Sequence, residues 1–238
     1  MFYFDEINGK HILKSDILTD ITHFFTTRES VIKTKEPEYE KVVLKNKKII
    51  CDYLSVDELV SPTQTHSSNV CFAEIGKSDY PDTDALILNN KRQAVFLNFA
   101  DCTPVILYDK KQNIAAISHA GWRGTAKRIV PETIKVMNSQ PKDIIAVIGP
   151  AISMCCYSVG EEVFNQLKVS VNDFEGLYNF RNEQIFVDLK NINARQLYES
   201  GVEYIDICPY CTCCNNDKFF SYRKENGTTN RHSAVIKL

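Results

Sequence analysis

The chain has 238 residues, 44% of them hydrophobic and 24% charged, with a formal net charge of −2; this is the composition of a soluble globular protein with room for one large domain. The near-balanced charge, with no extended basic run, excludes nucleic-acid binding by bulk electrostatics. No apolar stretch approaches the about 20 residues needed to span a bilayer. The start, MFYFDEINGK, lacks the order of a signal peptide, so the chain is expected in the cytoplasm with its nine cysteines reduced.

In FYFDEINGKHILKSD two short runs flank Asn8-Gly9, a strong turn dipeptide, and predict an opening hairpin. Ile21–Arg28 reads as a strand, and Glu38–Tyr53, with apolar residues at helical spacing, as a helix. SPTQTHSSNV is a loop before strand character at VCFAEI, and Tyr80–Asp84 is a turn into the strand ALILN. The stretch Val95–Arg128 organises the rest. VFLNFA and VILYD read as a buried strand pair interrupted at Asp101-Cys102-Thr103-Pro104, because Pro104 has no N–H for a ladder. After the polar turn Lys110–Asn113 the strand IAAIS runs into His119-Ala120-Gly121-Trp122-Arg123-Gly124-Thr125, followed by the helical AKRIVPETIKVM.

Further on, DIIAVIGP is a buried strand with a Gly-Pro stop. AISMCCYSVGEEVFNQL reads as a loop and a helix starting near Ser158, with Glu161 and Glu162 favourable in its first turn. FVDL is a short strand, KNINARQLYESG a helix closed by Gly201, and YIDIC another strand. A Cys-rich loop, a strand at FFSYR, a Gly turn and a final strand close the chain. Strands and helices alternate without strict βαβ order. The expected fold is therefore α/β (α+β), one domain over residues 1–238 built on a mixed β-sheet.

His66, Cys102 and His119 make a set of two imidazoles and a thiol. Three protein ligands leave a fourth position for water or substrate, as in catalytic zinc, and the same set suits copper. Against this stands the ordinary reading of an isolated Cys as a small core residue and of a His as a satisfied polar group. The polar neighbours Gln64, Asp101, Thr103 and Arg123, beside otherwise apolar strands, favour a site. Arginine forks match phosphate oxygens, which makes Arg123 the first anion-binding candidate and Arg223 and Arg231 the next. Trp122 and Tyr222 are candidates to stack on an aromatic ligand, although buried aromatics are more often core.

The segments THSSNV, TDALI, ADCTPVILYD, ISHAGWRGT, IGPAISMCCYSVGEEV and FFSYR occur in this order. Together they resemble the YfiH, or laccase-domain, family, once labelled multi-copper polyphenol oxidoreductases and since described as purine nucleoside phosphorylases with adenosine deaminase activity. The resemblance runs from about Ile21 to the C-terminus. It implies a layered sandwich fold related to that of bacterial deamidating toxins, and His66, Cys102 and His119 as the catalytic and metal-binding set with zinc or copper. Purine nucleosides would be the substrates; with phosphate as co-substrate, Gln64, Asp84, Arg123 and Arg223 are the expected substrate-binding residues of this chain. Two departures stand out: TTRESV lacks the glycine pair usual in that loop, and Asn230 replaces the glycine before Arg231.

Several reactions remain open on these residues. Phosphorolysis of purine nucleosides comes first, with deamination at the same metal site using Asp84 or Asp101 as proton carrier. The zinc deaminase signature H-x-E…P-C-x-x-C is absent. Five histidines are too few for a blue-copper centre plus a multi-copper cluster. Cys102 with His119 as base would instead make a cysteine hydrolase or deamidase; the family resemblance adds the editing of peptidoglycan precursors as a form this alternative could take. A non-enzymatic binding module leaves the His66/Cys102/His119 set unexplained. Cys208, Cys211, Cys213 and Cys214 are dense enough to suggest a structural zinc site but lack the C-x-x-C…C-x-x-C arrangement of a ribbon and are expected to be free thiols, while Cys155 and Cys156 are read as pocket-lining or packing residues. A monomer or weak homodimer is expected.

Overall fold

A computed structural model describes all 238 residues. In chain order the elements are β1 Phe2–Ile7, β2 Lys10–Ser15, β3 Thr22–Thr26, α1 Glu40–Leu54, β4 Leu59–Val60, β5 Val70–Phe72, β6 Ala85–Leu88 and β7 Ala94–Phe99. There follow β8 Thr103–Asp109, β9 Ile114–Ala120, α2 Trp122–Ala126, α3 Ile129–Met137, β10 Ile144–Ile148, β11 Ser158–Val159 and α4 Glu161–Lys168. The chain closes with β12 Tyr178–Arg181, β13 Gln184–Val187, α5 Leu189–Glu199, β14 Tyr204–Ile207 and β15 His232–Lys237.

Two mixed sheets, ordered β1-β2-β3-β15-β7-β4 and β14-β10-β8-β9-β6-β5, pack face to face, with helices on both outer sides. Side chains alternate across each strand. In β7, Val95, Leu97 and Phe99 enter the space between the sheets, while Ala94 and Phe96 face Ile50 and Leu54 of α1. In β8, Ile106 and Tyr108 point inward, and Val105 and Leu107 face Ile129, Ile134 and Met137 of α3 and Leu197 of α5. Both faces of these strands are covered, so their sequences are continuously apolar rather than alternating. The result is an α/β/β/α layered sandwich, the α/β class expected from the sequence. A small third sheet, β11-β13-β12, packs with α4 beside it.

The strand pair read into VFLNFA and VILYD does not form. β7 pairs with β15 and β4 in one sheet, and β8 with β9 and β10 in the other. Between them Ala100–Cys102 crosses from sheet to sheet, with Asp101 at φ 82° making the turn. A run that is apolar on both faces carries no mark of the sheet it joins, which is why periodicity mispairs it. Pro104 lies one residue past the last β8–β10 pair, Val105 with Ile148, so its missing donor costs no ladder bond there.

FFSYR is not a strand. Phe219 enters the sandwich core, and Phe220 packs with Val31 and Ala100 under the Arg28 guanidinium. Ser221–Gly227 then turns on itself through bonds from Glu225 N–H to Ser221 O and from Gly227 N–H to Tyr222 O. Ser158 starts no helix: Ser158 and Val159 pair with Phe186 and Ile185, and α4 begins after Gly160. The helix after the central stretch starts at Trp122 and breaks at Arg128, which takes φ 59°. The Asn8-Gly9 hairpin, α1 and the Gly201 stop of α5 form where expected.

Candidate active site

The register of one sheet assembles the site. Near the end of β9, Ser118 pairs with Ala85 of β6, and His119 and Ala120 with Pro104 and Thr103 of β8. Both neighbours run antiparallel to β9, so the residues just before them, Asp84 and Cys102, are delivered beside His119. His66 arrives on the loop before β5, the parallel neighbour of β6. Its ring lies edge-on to that of His119 at 4.9 Å between centroids, and its Nε2 is 3.8 Å from Cys102 Sγ.

Asp84 is fully buried and does not line the cavity. Its Oδ1 lies 2.7 Å from His119 Nδ1 and accepts the His66 N–H at 3.1 Å; its Oδ2 accepts the Ser67 N–H at 2.7 Å. It therefore positions its neighbours from outside the cavity and is not placed to touch a ligand there, contrary to the substrate-binding role expected from the sequence. Burial works to raise its pKa, but His119 and Ser67 outweigh that and hold the carboxyl far below the usual range. With Nδ1 engaged, His119 presents Nε2 to the cavity, the carboxylate–histidine arrangement that orients metal ligands. His66 itself sits at φ 66°, a left-handed conformation uncommon outside glycine, and its N–H bond to Asp84 helps hold it there.

One ligand atom from each of His66, Cys102 and His119 lies within 4.8 Å of the others. Gly121 backs the group closely: a Cβ there would stand 2.9 Å from Cys102 Sγ and 3.0 Å from His66 Cδ2. Two imidazoles, one thiolate and a supporting carboxylate fit a borderline-soft divalent ion with one position left open. The other three histidines are elsewhere. His11 is exposed against Glu29, His23 accepts the Ser15 N–H between strands, and His232 is buried beside Phe219. This scatter offers no imidazoles for a multi-copper cluster.

A cavity of about 720 Å³ opens over the group. Its lining includes Gln64, His66, Asn98, Asp101, Cys102, His119, Trp122, Arg123, Tyr157, Tyr222, Arg223 and Arg231, and the exposed Lys33 and Lys35. Gln64 is part of the wall, but its amide is engaged with the Asn98 backbone: Nε2 donates to Asn98 O and Oε1 accepts the Asn98 N–H, both at 2.9 Å. Arg123 lies over the Trp122 ring at 4.4 Å. Arg223 donates to Ser158 Oγ and O and lies over Tyr157, and Arg231 donates to Thr228 O and Asn230 O. None of the three pairs with a carboxylate, which leaves their charge available to an anionic ligand.

Of the two carboxylates considered as proton carriers, only Asp101 reaches the cavity. It accepts Thr212 Oγ1–H and the Arg223 N–H, each at 2.7 Å. Burial pushes the Tyr157 phenol up, with Cys102 adding to it. Reasoning from sequence missed Tyr157, Asn98, Lys33 and Lys35. Tyr157 had only its position after Cys155-Cys156 to mark it, and those two cysteines lie outside the lining.

The family model described as multi-copper polyphenol oxidoreductase laccase matches residues 25–238. The chain belongs to this laccase-like family. Among its relatives is "Purine nucleoside phosphorylase YlmD" of Bacillus subtilis, 34% identical over 214 residues, covering 82% of this chain and 77% of the relative. "Purine nucleoside phosphorylase" of Bacteroides thetaiotaomicron is 32% identical over 237 residues and 87% of each chain. Among solved structures, the Bacillus licheniformis hypothetical protein YfiH superimposes with a TM-score of 0.89 at 28% identity, covering 99% of this chain and 98% of the other. YlmD from Geobacillus stearothermophilus gives 0.88 at 26%, covering 98% of each. The laccase-like sandwich is thus shared across the whole length.

Proposed function

We propose that this chain is a purine nucleoside phosphorylase whose reaction takes place over the His66/Cys102/His119 group. The observation that carries this reading is the cavity itself. Three arginines without carboxylate partners, a His/Cys/His set and the rings of Trp122, Tyr157 and Tyr222 share one space of about 720 Å³, a volume typical of small-molecule sites. The names of the relatives point to the same substrates.

In phosphorolysis a phosphate oxygen bonds to the ribose anomeric carbon as the bond from that carbon to the purine nitrogen breaks. The electron pair leaves with the base, which takes up a proton. Arg123, Arg223 and Arg231 would hold the phosphate, since planar donor forks match its oxygens and orient it for attack. Trp122 and Tyr222 would flank the purine. His66, Cys102 and His119 would hold zinc, or copper, which supplies Lewis-acid stabilisation of developing negative charge. Asp84 fixes the ring orientation of His119, and Asp101 holds the Arg223 backbone in place; as the one of the two that lines the cavity, Asp101 would be the carboxylate to carry a proton in any adenosine deamination.

A second reading has one observation in its favour: the Cys102 thiol meets the His66 imidazole at 3.8 Å from Sγ to Nε2, and both line the cavity with His119. Although burial works to raise it, His119 and His66 hold the Cys102 thiol down to about 6. Against the same burial, Cys102 and Asp84 push His119 up to about 9. A thiolate beside an imidazolium is the resting state of a cysteine hydrolase.

One assay separates the two. Protein of known metal content is incubated with inosine, with and without phosphate, and products are read by mass spectrometry. Phosphate-dependent hypoxanthine and ribose-1-phosphate, lost on chelation and restored by zinc, are expected. Absence of turnover by the metal-loaded protein would overturn the phosphorylase reading. Adenosine in the same assay reads out deamination as inosine.

A further inference from the structure

A second group of thiols meets where two loops cross, outside the cavity. Cys155 and Cys156 lie between β10 and β11, and Cys211 and Cys214 follow β14. Their four sulfur atoms all lie within 4.8 Å of one another. Cys214 Sγ is 3.5 Å from that of Cys155 and 3.4 Å from that of Cys156. Cys208, close in sequence, is instead buried in the sandwich core, and Cys213 is outside the group.

The spacing identifies what the group can hold. A disulfide brings two sulfurs to about 2.05 Å, so these are separate thiols. Four sulfurs placed tetrahedrally at the zinc–sulfur distance of about 2.3 Å stand about 3.8 Å apart, within the observed spread. An iron–sulfur cluster, with each thiolate on a different iron, needs wider separations. Cys211 and Cys214 have the C-x-x-C spacing of half a structural zinc site, and the Ser153 N–H donates to Cys211 Sγ at 3.3 Å, a bond that steadies a ligating sulfur. The frame is set without any ion: Ala151 forms a parallel bridge with Cys211, and the Thr212 N–H donates to Ala151 O at 3.1 Å.

We propose that Cys155, Cys156, Cys211 and Cys214 form a structural site for one thiophilic divalent cation, zinc. All four positions are filled by protein, so the site is closed to substrate. It joins the two loops that build one wall of the cavity. Cys156 is followed by Tyr157 and offers its carbonyl to Arg223 at 3.4 Å, and Cys211 precedes Thr212, which bonds Asp101. The cation would thereby hold Tyr157, Arg223 and Asp101 in register from behind. The site stands apart from the His66/Cys102/His119 set and does not depend on the reaction assigned to it.

Metal content tests this directly. Chains produced with zinc under reducing conditions are analysed by elemental mass spectrometry as the wild type, as Cys102→Ala/His119→Ala and as Cys155→Ser/Cys214→Ser. Two zinc ions per chain are expected in the wild type and one in each double variant. Cobalt added to metal-stripped Cys102→Ala/His119→Ala, which keeps all four cysteines, is expected to give the intense visible and charge-transfer bands of a tetrahedral four-sulfur site, even if the Cys155→Ser/Cys214→Ser variant fails to fold. A folded Cys102→Ala/His119→Ala protein that holds no zinc and gives no such bands would overturn the proposal. A Cys156–Cys214 disulfide persisting in the zinc-replete reduced protein would also overturn it, in favour of a redox pair.

Discussion

His119 Nδ1 and Asp84 Oδ1 lie 2.7 Å apart, both side chains are buried, and the same Asp84 oxygen accepts the backbone N–H of His66. One carboxylate thus orients both histidines of the group. Asp84→Asn keeps the shape but removes the charge, and its amide can turn a donor toward Nδ1 and impose the wrong tautomer. Metal affinity, measured by competition with a chelator, is expected to fall about 10- to 100-fold, the usual cost of losing such a supporting carboxylate. Unchanged affinity would mean that His119 is held by packing alone.

Gly121 stands behind the thiol and the imidazole. With a Cβ 2.9 Å from Cys102 Sγ and 3.0 Å from His66 Cδ2, Gly121→Ala must displace one or both side chains. Loss of bound metal is expected, with little difference in thermal stability between the metal-free variant and the metal-free wild type, since the clash falls on the site and not on the core. A crystal structure or metal titration of the variant shows which side chain moves.

Gly149 serves the fold instead. A Cβ there would come within 2.2 Å of the Phe25 ring, which is fully buried between the sheets. The ring has no free space to enter in a close-packed interior. Gly149→Ala is expected to destabilise the protein by about 1–3 kcal/mol or more, read as a lower urea midpoint. Gly160→Ala, where a Cβ meets nothing and only the N-cap preference of α4 is lost, is the comparison and should cost less, about 0.5–1 kcal/mol.

Acid sensitivity should trace to two histidines outside the site. Burial is the main cause that lowers His232 to about 3 and His23 to about 4; for His232 the Pro150 carbonyl opposes it only in part. Both are neutral when folded, whereas the unfolded chain binds their protons below about pH 6.5. Their stabilising effect is therefore complete above pH 6.5 and declines as pH falls toward 4 and 3, by at most about 1.4 kcal/mol per unit for each histidine. His232→Leu, in a slot beside Phe99 and Phe219, should show a flatter fall of Tm between pH 6.5 and 4 than the wild type. Equal slopes would remove His232 as a cause.

Arg123 is exposed over the Trp122 ring, with its charge unmatched by any carboxylate. If phosphate is the co-substrate, Arg123→Ala removes a charge-assisted contact worth about 1.5–3 kcal/mol. The KM for phosphate is then expected to rise about 10- to 100-fold, with that for inosine changing far less. A matching rise in both would instead place Arg123 at the nucleoside.

The sequence by itself determined the secondary elements that depend on neighbours along the chain. The Asn8-Gly9 turn, the amphipathic α1 and the Gly201 stop follow from local dihedral preference and from periodicity on one covered face. It also marked His66, Cys102, His119 and Arg123, because thiol, imidazole and guanidinium groups stand out beside apolar strands and small residues. Only the tertiary structure decided which sheet β7 and β8 join, since strands covered on both faces carry no alternation to reveal their partners. Only it showed that Asp84 lies beneath His119 and away from the cavity, a consequence of the β6–β9 register. It alone brought Cys155 and Cys156 to Cys211 and Cys214: the two pairs are more than fifty residues apart, as the separation of 59 positions between Cys155 and Cys214 shows. No local pattern encodes such a meeting, which follows from the parallel pairing of β10 with β14 and the loops that leave their ends.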